Sequence, residues 1–116
     1  MPSIISFGPK LIRINHSKNS IEQSFTRGQT WTNKHSGSLC GTFIDLVAYG
    51  NEIIALTDKG IYYSATEGST WISRCTSPIV KTFTCIQDGG GELIGMTADG
   101  HIYASETKGA TWIKRR

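Results

Sequence analysis

The sequence predicts an all-β fold: three four-stranded antiparallel propeller blades, in a ring completed to six blades by dimerisation. Three observations predict it. One phrase is written three times at an even interval. Within each interval, four short runs of β-branched and aromatic residues alternate with turn chemistry. No stretch carries apolar residues at a helical period.

The phrase is S-x-T-x-G-x-T-W, at Ser24 to Trp31, Ser64 to Trp71 and Ser105 to Trp112. Its repeat-defining residues are Ser24, Thr26, Gly28 and Trp31; Ser64, Thr66, Gly68 and Trp71; and Ser105, Thr107, Gly109 and Trp112. The tryptophans lie 40 and then 41 residues apart. A fixed period of that length belongs to arrays of equal units.

The second unit is the clearest. Phe43 to Ala48 is a first strand, Tyr49-Gly50-Asn51 a turn, and Glu52 to Thr57 a second strand ended by Asp58-Lys59-Gly60. Ile61 to Ser64 is a third strand and Thr70 to Ser73 a fourth. Such runs, bounded by Gly, Asn or Asp, are what strands and hairpins require. The third unit copies it, with Phe83 matching Phe43, Glu92 to Thr97 matching Glu52 to Thr57, and Gly100 matching Gly60. His101 is then the inserted residue. In the looser first unit the strands are Ile4 to Phe7, Leu11 to Ile14, Ile21 to Ser24 and Thr30 to Thr32. The units run approximately 1–40, 41–81 and 82–116, in a single domain over 1–116.

Composition excludes several function classes. The chain has 116 residues, 38% hydrophobic, and a net charge of +3 from scattered basic residues. Neither a nucleic-acid nor a membrane partner is expected. The start, Met1 to Gly8, lacks a basic segment before a long apolar one. No signal peptide or transmembrane segment is expected, and a cytoplasmic location is favoured. Cys40, Cys75 and Cys85 form no C-x-x-C, so three separate thiols are expected, with a Cys40–Cys75 pairing as the alternative.

The phrase resembles the Asp-box, or BNR repeat, S-x-D-x-G-x-T-W, of sialidases, other glycoside hydrolases, sortilin-type receptors and photosystem II assembly factors. The resemblance covers essentially the whole chain. It departs from the family at one place: Thr26, Thr66 and Thr107 stand where the box has aspartate. In the family the box is a hairpin between third and fourth strands. A threonine hydroxyl can accept the same turn amides more weakly. The glycines are expected at positive φ, and the tryptophans as staples over the hairpin. Lys34, Arg74 and Arg115, three places past each tryptophan, read as solvated edge-strand charges.

No catalytic residue, metal site or cofactor is expected. Sialidase chemistry, as the resemblance implies it, needs three arginines, a tyrosine with a glutamate partner, and an aspartic acid. Only Arg13 and Arg74 are placed to approach a pocket. Asp45 and Asp88 are the acids in suggestive places, and Asp88 opens a glycine turn. His16, His35 and His101 have no metal-ligand spacing.

In the family a ligand meets the face opposite the box hairpins. Here that face carries the second-to-third strand loops and the connections between units. The ligand-binding candidates are therefore His16, Lys18, His35, Asp58, Lys81, Asp99 and His101.

Three blades leave two bare apolar faces, which mark interaction surfaces. Two copies make a six-bladed homodimer; three copies or a longer propeller are the alternatives. The function expected is a non-catalytic interaction or carbohydrate-binding module with a glycan or protein ligand. The alternatives are a sialidase-like glycoside hydrolase ring or fragment, and an assembly or structural factor of a larger particle.

Overall fold

The computed structural model of the chain describes residues 4–36 and 40–115. Three antiparallel meanders follow one another. The first sheet holds β1 (Ile4–Phe7), β2 (Lys10–Asn15), β3 (Ser20–Ser24) and β4 (Thr32–His35). The second holds β5 (Phe43–Tyr49), β6 (Glu52–Thr57), β7 (Gly60–Ser64) and β8 (Ile72–Cys75). The third holds β9 (Phe83–Asp88), β10 (Leu93–Thr97), β11 (Ile102–Ser105) and β12 (Ile113–Lys114). A short 3₁₀ turn, Val80–Thr82, precedes β9. The all-β class and the four-strand units are as the repeat predicts.

Two details differ from the sequence reading. The fourth strands start after the tryptophan, at Thr32 and Ile72, rather than at Thr30 and Thr70. The amides of Thr30 and Thr70 donate to Thr26 and Thr66 Oγ1, so they cannot enter a strand ladder. In the third sheet, Thr97 bonds through its amide to the His101 carbonyl, while Thr57 pairs with Gly60. His101 thus holds the place of Gly60, and Gly100 lies in a longer loop.

Register makes the three sheets comparable residue by residue. On one side, the row Leu46–Ala55–Tyr62 of the second sheet matches Ile86–Gly95–Tyr103 of the third and Ile4–Arg13–Glu22 of the first. On the other side, Val47–Ile54–Tyr63 matches Gln87–Ile94–Ala104 and Ile5–Ile12–Gln23. Directly paired residues share a face, so Ile5–Ile12–Gln23 faces Leu46–Ala55–Tyr62 and Val47–Ile54–Tyr63 faces Ile86–Gly95–Tyr103, while the other two rows face outward.

The second sheet lies between the other two. Ile12, Ile14 and Ile21 of the first sheet bury against Phe43, Leu46, Ile53, Ala55 and Trp71 of the second. Val47, Ile54, Leu56 and Ile61 on its other side bury against Phe83, Ile86 and Leu93 of the third, with Val80. Each such side chain contributes about 1.5–3 kcal/mol when fully buried, so these seams carry the assembly of the sheets. Gly95 fits by its lack of a side chain: a Cβ there would sit 2.5 Å from Phe83 Cε2.

Candidate functional site

The repeated phrase forms the same closed hydrogen-bond unit three times. The Ser64 hydroxyl accepts the amides of Thr66 (3.2 Å) and Gly68 (2.8 Å). Thr66 Oγ1 accepts the Thr70 amide at 2.9 Å and meets the Thr70 hydroxyl at 2.7 Å. Trp71 Nε1 donates to the Gly68 carbonyl at 3.0 Å. Ser24, Thr26 and Trp31 repeat this, as do Ser105, Thr107 and Trp112. Gly28, Gly68 and Gly109 have φ of 92°, 101° and 97°, each after a residue, Arg27, Glu67 or Lys108, that is also at positive φ. These polar groups are therefore committed to their own turn.

The boxes also join the sheets. A Cβ on Gly68 would meet Ile21 Cγ2 of the first sheet at 3.2 Å; one on Gly109 would meet Ile61 Cγ2 of the second at 3.1 Å. Each box thus seats on the third strand of the sheet before it. Trp71 and Trp112 pack on Phe43 and Phe83, with ring centroids 5.5 and 4.9 Å apart.

Charged residues follow the same plan. Lys10 at the start of β2 pairs with Glu67 in the second box, its side chain only 6% exposed. Glu52, at the matching place on β6, is held in a fork by Arg74 at 2.8 and 3.1 Å. Arg74 also donates to the Lys108 carbonyl of the third box (3.1 Å) and lies 3.7 Å over the Tyr63 ring. Arg74 is therefore a seam residue, which corrects its reading as a solvated edge charge. The Arg74 hydrogen bonds, more than the opposing burial, hold the Glu52 carboxyl below its usual range, and Lys108 adds to this.

The sequence-predicted ligand residues are scattered over the loops. His16 and Lys18 are exposed in the β2–β3 loop, and Lys81 is exposed in the 3₁₀ turn. His35, at the end of β4, packs edge-on against Phe43 at 5.9 Å. Asp58 accepts the Thr42 amide at 2.8 Å, so its carboxylate ties the entry of the second sheet. Asp99 bonds the Thr97 hydroxyl and lies 3.5 Å from His101, another of the candidates. Among the described residues no three His, Cys, Asp or Glu side chains gather to hold a metal. Part of the Lys34 to Thr42 connection lies outside the described residues.

Sequence reasoning missed Asn19. Its Nδ2 donates to the Gly41 carbonyl (2.9 Å) and its Oδ1 accepts the Phe43 amide (2.8 Å), clasping the first sheet to the second. Asparagine at a loop end, able to adopt positive φ (here 51°), was the available signal.

The groups a glycosidase reading would draw on are occupied. Asp45 is fully buried between the second and third sheets, accepting the amides of Leu46 and Ile86. Burial outweighs those bonds and pushes its carboxyl up to about 6. Arg13 pairs with Glu22 at 2.7 Å and lies 4.0 Å over Trp31. Asp88 caps its own turn, accepting the Gly90 amide at 2.9 Å. The three cysteines are free, and Cys40 is buried.

Two open clefts lie beside the box turns of the first and third sheets rather than among the candidate ligand residues. One, about 250 Å³, is lined by Pro9, Lys10, Leu11 and Arg27 on the first sheet. The other, about 200 Å³, is lined by Glu106, Thr107, Ile113 and Arg115 on the third. No helix among the described residues is long and apolar enough to cross a membrane.

The architecture is that of β-propeller proteins. Two structures of YCF48, one from Cyanidioschyzon merolae and one bound to D1 peptide, superpose with TM-scores of 0.74 at 17% and 20% identity. The superpositions cover 96% and 97% of this chain but 35% and 40% of those. PorZ, a surface component of the type-IX secretion system of Porphyromonas gingivalis, matches 96% of the chain at TM-score 0.70 and 11% identity, over 15% of its own length. An ancestral GH74 enzyme matches 97% of the chain at TM-score 0.64 and 13% identity, over 18% of its length. At such identities the likeness is one of fold. No family model and no curated protein matches the sequence.

Proposed function

We propose that this chain is a non-catalytic propeller binding module, built from Asp-box repeats with threonine in the aspartate place, and that a second copy completes its ring. Its ligand is an acidic peptide segment of a protein partner, held at the loop end by Lys18 and Lys81 with His16, His35 and His101. The observation that carries this reading is the exposure of two lysines at that end. Asp58 bonds the Thr42 amide and Asp99 the Thr97 hydroxyl, while Lys18 and Lys81 are exposed. The exposed ammonium groups of Lys18 and Lys81 are cations that the loop end offers a ligand, beside the exposed carboxylate of Asp99. YCF48, which shares the fold, has been solved bound to D1 peptide, and this supports a peptide as the class of ligand.

The test is fluorescence anisotropy with acidic, neutral and basic peptide pools, alongside a glycan array. Binding confined to the acidic pool, weakened by salt and by Lys18→Glu with Lys81→Glu, supports the reading. A glycan ligand with no peptide binding, or turnover of aryl glycosides lost in Asp45→Ala, overturns it.

A further inference from the structure

The two closed seams obey one rule of charge. The position just before the strand residue that pairs with the box serine is Lys10, Glu52 or Glu92 in the three sheets, since Leu11, Ile53 and Leu93 pair with Ser24, Ser64 and Ser105. The box residue at positive φ before the glycine is Arg27, Glu67 or Lys108. At the first seam Lys10 meets Glu67. At the second the signs are reversed together: Glu52 is held in a fork by Arg74, which also donates to the carbonyl of Lys108 in the next box. At both seams the strand position and the box residue across from it carry opposite formal charges.

The outer face of the third sheet keeps both parts of this arrangement. Glu92 is held by Arg115 in a fork at 2.9 and 3.1 Å, as Glu52 is by Arg74. An acidic position there calls for a basic box residue. The box that seats on no sheet among the described residues is the first, and its residue is Arg27, exposed beside the first-sheet cleft.

The apolar parts match as well. Ile94, Met96 and Ile102 hold the places of Ile54, Leu56 and Ile61, which are wholly buried at the second seam. Ile113, beside them on the same face, is 71% exposed. Leu11 and Trp31 hold the places of Ile53 and Trp71 on the opposite end of the chain. By the same geometry, the Gly28 turn would seat on Ile102 as Gly68 does on Ile21.

Resting on the ring reading above, we propose that the outer face of the third sheet docks the first sheet of a second copy, with Glu92 receiving Arg27 of that copy. The two-fold makes the contact twice and closes the ring. One row is altered. Arg13 and Glu22 replace the Ala55–Tyr62 and Gly95–Tyr103 pairs, and Arg13 covers Trp31 where Phe43 and Phe83 cover Trp71 and Trp112. A charged pair in that row makes this seam more polar than the two within the chain, so the copies separate on dilution.

The test is sedimentation equilibrium across a concentration series for the natural chain, Glu92→Lys, Arg27→Glu and the double variant, with circular dichroism to check folding. The expected result is twice 12.7 kDa for the natural chain. Each single reversal weakens association roughly tenfold or more, and the double variant, which restores the sign pattern of the first seam, recovers it. Twice the mass in all four proteins overturns this seam while leaving the ring reading intact. A monomer for the natural chain at every concentration overturns both, and makes Arg13–Glu22 the polar cap of an end sheet.

Discussion

Asp45 Oδ2 accepts the amide of Ile86 at 2.9 Å, fastening the first strand of the second sheet to the first strand of the third. Its other oxygen accepts the Leu46 amide at 3.0 Å. Burial outweighs the two amide bonds, so the carboxyl titrates near 6 rather than at its usual 3.8.

The sign of the pH effect follows from that. Asp45 binds its proton more readily folded than unfolded between about pH 4 and 6. Its contribution to stability is fully present below about pH 4 and lost as pH rises through 6, on the order of 3 kcal/mol in all. The Ile86 amide shift, followed by NMR against pH, should move with a midpoint near 6. A midpoint near 4 would show that the site is hydrated.

Ser64 supports two amides with one hydroxyl while 1% exposed. Ser64→Ala leaves both without that acceptor in a place where water has little access. We expect a loss of about 1–3 kcal/mol in urea unfolding. Thr66→Ala, at an exposed position, should cost less, because water can replace its bond to Thr70. Equal losses would mean that burial does not distinguish the two.

Gly95→Ala forces the Phe83 ring aside, and that ring is pinned by Trp112 at 4.9 Å and Tyr103 at 5.6 Å. A destabilisation of about 1–3 kcal/mol is expected. Phe83→Leu in the same chain should recover part of it, giving a coupling that a double-mutant cycle reads. Additive losses would place the strain elsewhere.

Arg74→Met keeps the length of the stem and removes the fork. Glu52, half-buried, then lacks its main partner, and the Lys108 carbonyl loses a donor across the seam. We expect a loss of about 1–3 kcal/mol, larger than for Arg115→Met, whose pair with Glu92 is more exposed. The Glu52 carboxyl should titrate higher in Arg74→Met, by removal of the interaction that lowers it.

How much was legible divides by range. The phrase announced its own turn because Ser64, Thr66, Gly68 and Trp71 bond one another within eight residues. The hairpins were visible for the same reason. The fourth strands were placed too early because Thr70 has high strand propensity, and only the bond to Thr66 removes its amide from the ladder. Of the ligand candidates, Asp58 and Asp99 looked like free loop acids, and their partners Thr42 and Thr97 could not be assigned from spacing alone.

By itself the sequence determined the repeat, the β class and the local turns, since those depend on contacts a few residues apart. The tertiary structure decided the roles of Arg74, Asp45 and Asn19, each of which acts on a neighbouring sheet. It also decided that Gly95 is required by the Phe83 ring. Such contacts join residues 12 to 41 positions apart, and register and packing between sheets bring them together, not the pattern along the chain.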